Sequence, residues 1–194
     1  MIKKFWKESW GELKKIRTLT ACGLFAALAL ILNSFTIRIG SYLKISIAGI
    51  TNEIVATLFG PVLGSIFAGM MDIIKLFLYP DGAWIPGLTF NRLLAGLIYG
   101  CFMYHKPIKY WRILLANLTV GLFVNTLMGT LWLSQVYNQG FIVMLPIRMI
   151  KNIIEAPIDS LILYMIMQIF RSAGILRMMN VFLTDKRNGE ISIK

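Results

Sequence analysis

Six apolar runs, near residues 18–36, 46–59, 61–79, 88–104, 112–135 and 145–170, take up most of this chain and leave few ways to fold it. A helix needs roughly 20 apolar residues to cross the ~30 Å hydrocarbon core of a bilayer, and most of these runs approach that length. In hydrocarbon every backbone N–H and C=O must be satisfied within the chain, and a helix does this inside one segment. Charged residues are 15% of the chain, where a soluble domain carries about 25%. The reading is an all-α integral membrane protein: a compact six-transmembrane-helix bundle over 18–170, after an amphipathic, basic segment 1–17 and before a basic tail 171–194. The length of 194 residues fits one compact unit, and no second soluble domain is expected.

Punctuation supports these boundaries. The second run is short, and Gly60-Pro61 divides it from the third; proline suits a helix's first turn, so a helical hairpin is expected there. "YPDGAWIPG" (Tyr79 to Gly87) has the composition of a structured loop, and "HKPIKYW" (His105 to Trp111) parts runs four and five. Lys3, Lys4, Lys7, Lys14, Lys15 and Arg17 precede the first run; Lys106, Lys109 and Arg112 follow the fourth; Arg171, Arg177, Lys186, Arg187 and Lys194 follow the sixth. With six spans all of these fall on one side, against Arg38 and Lys44 on the other, so both termini are expected to be cytoplasmic. The net charge of +11 then reflects flanks facing anionic lipid rather than nucleic acid. Ile2, Phe5, Trp6, Ser9, Trp10, Leu13 and Ile16 form a mostly apolar stripe opposite lysines, as in a helix lying on the inner membrane surface. A cleavable signal peptide fits less well, since no small-residue cleavage site is evident.

The informative residues are the polar ones inside the runs. In "LPIRMIKNIIEAPID", Arg148, Lys151, Asn152, Glu155 and Asp159 fall at i, i+3, i+4, i+7 and i+11, one face of a helix. With the orientation above, Lys75, Arg92, Asn91, Asn125, Trp132, Arg148, Lys151 and Asn152 converge on the outer half of the bundle, near Trp84 and the outer-loop residues Arg38 and Lys44. Each has a structural alternative: Asp72 with Lys75 and Lys151 with Glu155 as internal ion pairs, Arg92 snorkelling to the interface, Trp132 as an interfacial belt residue. Together they point to a polar cavity, because several charges in hydrocarbon are costly unless solvated. Cations outnumber Asp72, Asp81 and Glu155 there, which suits an anionic ligand with a flat ring: arginine clamps carboxylates or stacks on rings, and asparagine reads ring donors and acceptors.

No phosphate-binding G-x-x-x-x-G-K-[ST], no HExxH, no G-x-S-x-G and no Cys/His cluster is present, so neither catalytic residues nor a metal site is assigned. Cys22 and Cys101 read as small apolar residues, and His105 as a surface residue. A binding cavity without an energy source suggests a subunit powered by a partner. Gly23 and Ala27 form a small-x-x-x-small pair in "TACGLFAALAL" where another helix can approach, although packing within the chain would use the pair equally well. A membrane-embedded enzyme acting on an anionic lipid, with Glu155 or Asp72 as acid/base, is the rival from another class.

The segments "SFTIRIGSYLKI", "LFGPVLGSIFAGMMDIIKLFLYPDGAWIPGLTF", "LLAGLIYG", "VNTLMGTLWLSQVY" and "LPIRMIKNIIEAPID" resemble the substrate-binding S-components of energy-coupling factor vitamin transporters, most of all the folate type. The likeness spans about Leu19 to Gln168, and the family's fifth-span motif is interrupted here as "NTLMGTLWLS". The resemblance implies a multi-pass subunit of the prokaryotic plasma membrane that captures folate from outside, without a cofactor. It also implies a membrane coupling protein and two cytoplasmic ATPase subunits as partners, with ATP used only by the latter. Carried onto this chain, the ligand candidates are Arg38, Trp84, Arg92, Asn125, Arg148, Lys151 and Asn152, and the coupling-protein candidates are Gly23 and Ala27. Another anionic vitamin such as pantothenate is the alternative ligand.

Overall fold

The computed structural model describes residues 9–11, 13, 15–34, 37–39, 43–45, 48–79, 84–137 and 140–172. Helices dominate: α1 (Ile16–Ser34), α2 (Gly49–Phe59), α3 (Pro61–Leu78), α4 (Pro86–Met103), α5 (Tyr110–Thr119), α6 (Gly129–Tyr137) and α7 (Phe141–Ser172). Each apolar run of the sequence coincides with one of them or, for 112–135, with a continuous stretch of three. Four stretches among the described residues are long and apolar enough to cross a bilayer: Ile16–Ser34, Pro61–Leu78, Tyr110–Val136 and Phe141–Ser172. Large apolar side chains such as Leu24, Phe77, Phe123, Ile142 and Ile154 point outward, a coat that water would penalise and lipid accepts.

Two features depart from a purely helical expectation. Between α1 and α2 a short antiparallel ribbon forms from β1 (Ile37–Ile39) and β2 (Leu43–Ile45), with Arg38 opposite Lys44. Four of its six residues are isoleucine or leucine, and β-branched side chains favour extended backbone. The fifth run is also not a uniform α-helix. Between α5 and α6 the chain winds as a π-helix over Val120–Met128, a form that is rare and short in proteins and often marks functional positions.

The hairpin at Gly60-Pro61 is as the sequence suggests. Gly60 takes φ +94°, a backbone conformation open to glycine, and Pro61 starts α3 at once. Ser9 is fully buried beneath this turn; its Oγ accepts from Val62 N–H at 3.1 Å and lies 3.5 Å from Phe59 O. Part of the N-terminal stripe therefore packs on protein. Leu13 joins the core, whereas Trp10 and Ile16 are exposed; residues 1–8 and the tail beyond 172 lie outside the described residues.

α3 and α4 form the most extensive helix pair. A Cβ on Gly96 would come within 2.4 Å of Gly64 O, and one on Gly100 within 2.3 Å of Pro61 Cα. Small residues let two membrane helices approach this closely, where dispersion rather than the hydrophobic effect holds them. The core around Phe59, Met71, Ile113, Leu163 and Met167 draws on α2, α3, α5 and α7. The bundle thus has a ribbon end, where Ser34 Oγ meets Tyr79 Oη at 3.0 Å, and a Gly60 end.

Candidate functional site

At the ribbon end, α3 and α4 carry a chain of polar contacts. Trp84 Nε1 donates to Thr89 Oγ1 at 3.2 Å, Thr89 donates to Asp72 Oδ2 at 2.8 Å, and Arg92 Nε lies 3.8 Å from Asp72 Oδ1. Asp72 thus engages the next helix. The Arg92 side chain is 51% exposed, so the attraction is weakened by solvent.

Opposite stand the π-helix, α6 and α7. Lys151 Nζ and Glu155 Oε2 form the i, i+4 ion pair of the structural alternative, at 3.3 Å. Arg148 is half-buried, and its Nη2 donates to a backbone carbonyl, Asn125 O, at 3.3 Å. Among the described residues it makes no ion pair; the charge it feels is that of Arg92, which repels it. Asn152 is buried, and its Nδ2 donates to Thr126 Oγ1 at 2.7 Å and to Gly121 O at 3.1 Å. Its donor capacity is therefore spent on the π-helix.

Trp132 lies across the start of α4. A Cβ on Gly87 would sit 2.1 Å from Trp132 Cδ2, so only glycine admits the ring there. The indole Nε1 is buried without a hydrogen-bond partner among the described residues. Asn91, buried beside it, reaches Val124 O at 3.3 Å; turned over, its amide bridges Gly87 O and Gly129 N–H at 3.2 Å each. The turned orientation uses both ends of the amide and is the better one.

Of the sequence-derived candidates, Trp84 and Arg92 thus join through Thr89 and Asp72, while Asn125, Arg148 and Asn152 join through the π-helix. Lys151 lies one turn from Arg148 on α7. The side chain of Arg38 lies outside the described residues, as does Asp81. Asn125 and Trp132 share a face in a uniform α-helix, but wider π turns intervene, so spacing alone no longer relates them. Gly23 and Ala27 are exposed on α1, with open space where a Gly23 Cβ would be, whereas Ala29 faces the core.

Sequence reasoning missed a second polar group, buried nearer the Gly60 end. Tyr99 Oη donates to Asn117 Oδ1 at 2.7 Å, Asn117 Nδ2 donates to Ser160 Oγ at 2.9 Å, and Ser160 donates to Ala156 O at 2.6 Å. Glu53 is buried beside Tyr99 and Asn117, with Oε2 unpartnered among the described residues. A lone acid in the apolar run "ITNEIVATLFG" was the available signal.

The chain as a whole resembles known proteins. The family model for "ECF transporter, substrate-specific component" matches residues 17–167. Folate transporter FolT of Clostridium novyi (strain NT) is 28% identical over 159 residues, spanning 78% of this chain and 88% of that protein. Folate transporter FolT of Leuconostoc mesenteroides is 27% identical over 157 residues, 78% of this chain and 84% of that one. The crystal structure of FolT bound with folic acid superposes with a TM-score of 0.71 at 30% identity, covering 77% of this chain and 92% of that one.

Proposed function

Since this chain belongs to the substrate-specific components of ECF transporters, multi-pass plasma-membrane proteins that are transporter subunits and not enzymes, we infer that its substrate is folate. The observation that carries this reading is Arg148: a half-buried guanidinium with no ion pair among the described residues, repelled by Arg92. Two like charges that repel one another gain most from an anion between them, and folate brings two carboxylates on its glutamate tail with a flat pterin ring. The similarity to FolT bound with folic acid supports the same ligand.

In this reading Arg148, Arg92, Lys151 and Arg38 attract and clamp the carboxylates. Trp84 and Asn125 meet the ring or its linker, and Asn152 shapes the wall behind them. The ribbon end is extracellular, the six helical stretches all span the membrane, and both termini are cytoplasmic by the distribution of lysine and arginine. No cofactor takes part. A membrane coupling protein docks on α1 at Gly23 and Ala27, and two ATPase subunits supply the energy. Gly23→Leu fills the open space on that face; it should abolish uptake in cells holding the whole transporter while folate binding to the purified subunit is unchanged. Uptake that survives moves the docking face elsewhere.

Calorimetric titration of the purified full-length protein with folate, pantothenate and thiamin is the deciding experiment. Tight, stoichiometric binding of folate alone is expected. Preference for pantothenate would keep the anion site and reassign the vitamin.

A further inference from the structure

The π-helix at Val120–Met128 costs the chain its regular ladder, and side chains from other helices are spent on holding it. Within it, Thr126 Oγ1 donates to Gly121 O, five residues back, at 2.8 Å. Asn152, from α7, donates to both of those atoms and closes a three-membered polar cluster. Arg148 takes Asn125 O, and Asn91, from α4, bridges Gly87 O and Gly129 N–H in its better orientation. Inside hydrocarbon a backbone carbonyl released from the α ladder has no water to turn to, so the side chains that take it up set which winding is stable.

That winding has consequences beyond the stretch. A π turn takes up about one more residue than an α turn. Rewinding it as α-helix would rotate everything after Met128 by roughly 100°, the angle per helical residue, for each π turn removed. Trp132 would leave the notch at Gly87, which fits its ring and nothing larger at that glycine. Asn125 O would also leave Arg148, and the guanidinium would lose its recorded hydrogen bond.

We propose that Asn152 and Thr126 are positioning residues for ligand binding: they hold the π winding that seats Trp132 on Gly87 and aims Arg148, without touching the ligand themselves. The proposal rests on the binding reading above. Thr126 is 2% exposed and Asn152 8%, and both amide hydrogens of Asn152 are committed within the protein.

The test uses the full-length protein with Asn152→Ala, Thr126→Val, Trp132→Ala and the double variant Asn152→Ala/Trp132→Ala. Folate Kd is measured by calorimetry, and amide hydrogen exchange across residues 120–137 is measured without ligand. Asn152→Ala and Thr126→Val should each weaken binding roughly tenfold, the scale of one buried hydrogen bond, and each should speed exchange in that segment. The double variant should bind no more weakly than its worse parent, because both changes act through one geometry. Losses that multiply would make Asn152 a direct contact and overturn the proposal. So would a Thr126→Val protein with wild-type affinity and exchange. If Asn152→Ala does not fold, Asn152→Ser, which keeps one donor, takes its place. Wild-type protein that does not bind folate would sink the folate assignment alone, and the exchange comparison would then decide the winding by itself.

Discussion

At the ribbon end of the bundle several charged groups have loose contacts: Arg92 and Asp72 stand 3.8 Å apart, half of the Arg92 side chain is open, and Arg148 feels the like charge of Arg92. Toward the Gly60 end the Tyr99–Asn117–Ser160 chain is buried, with contacts of 2.7 and 2.9 Å, and the Glu53 carboxyl lies beside it. Hydroxyls and amides that spend their hydrogen bonds on one another join helices and have little left to offer a ligand. Cations that remain half-solvated keep their capacity to exchange water for an anion. The contrast separates polar residues that hold the bundle from polar residues that use it.

The sharpest way to break this contrast is Arg148→Ala. Losing one partner of a buried charge pair costs about 2–5 kcal/mol of binding, and calorimetry should register that loss as larger than the about 1 kcal/mol of stability that the free protein gives up with the Arg148–Asn125 hydrogen bond. Unchanged affinity would reduce Arg148 to a structural charge. Asn117→Leu tests the other end. It leaves the Tyr99 hydroxyl without its acceptor and Ser160 without its donor, so stability in a denaturant series should fall by about 1–3 kcal/mol while folate affinity holds. A selective loss of affinity would erase the division between the two ends. The smallest effect is expected for Asp72→Asn: exposed ion pairs contribute about 0–1 kcal/mol, so stability should barely move, and freeing Arg92 should leave folate binding equal or tighter. Weaker binding would make Asp72 part of the ligand's own environment.

What could be read in advance follows from the range of the interactions. The apolar runs, the Gly60-Pro61 turn and the Lys151–Glu155 pair depend on neighbours within a few residues, and spacing reveals them. Partners of Asp72 did not emerge that way: Thr89 and Arg92 belong to the next helix and meet it only after α3 and α4 pack along their glycines. The π-helix is equally invisible locally, because its carbonyls are claimed by Asn152 and Arg148 from α7. Gly87 looked like part of a loop, yet its role is to make room for Trp132, far along the chain. Glu53 has no partner at helical spacing, because its neighbours Tyr99 and Asn117 come from two other helices.

The length of α7 has its own consequence. Its 32 residues extend about 48 Å at ~1.5 Å per residue. Fitting that length within ~30 Å of hydrocarbon by tilt alone would take about 50°, more than the 0–40° that membrane helices adopt. Some of α7 must therefore stand among lipid headgroups or in water. Arg171, exposed in its last turn, is a charge suited to such a layer, where it would hold the helix at one depth like a float line on a buoy.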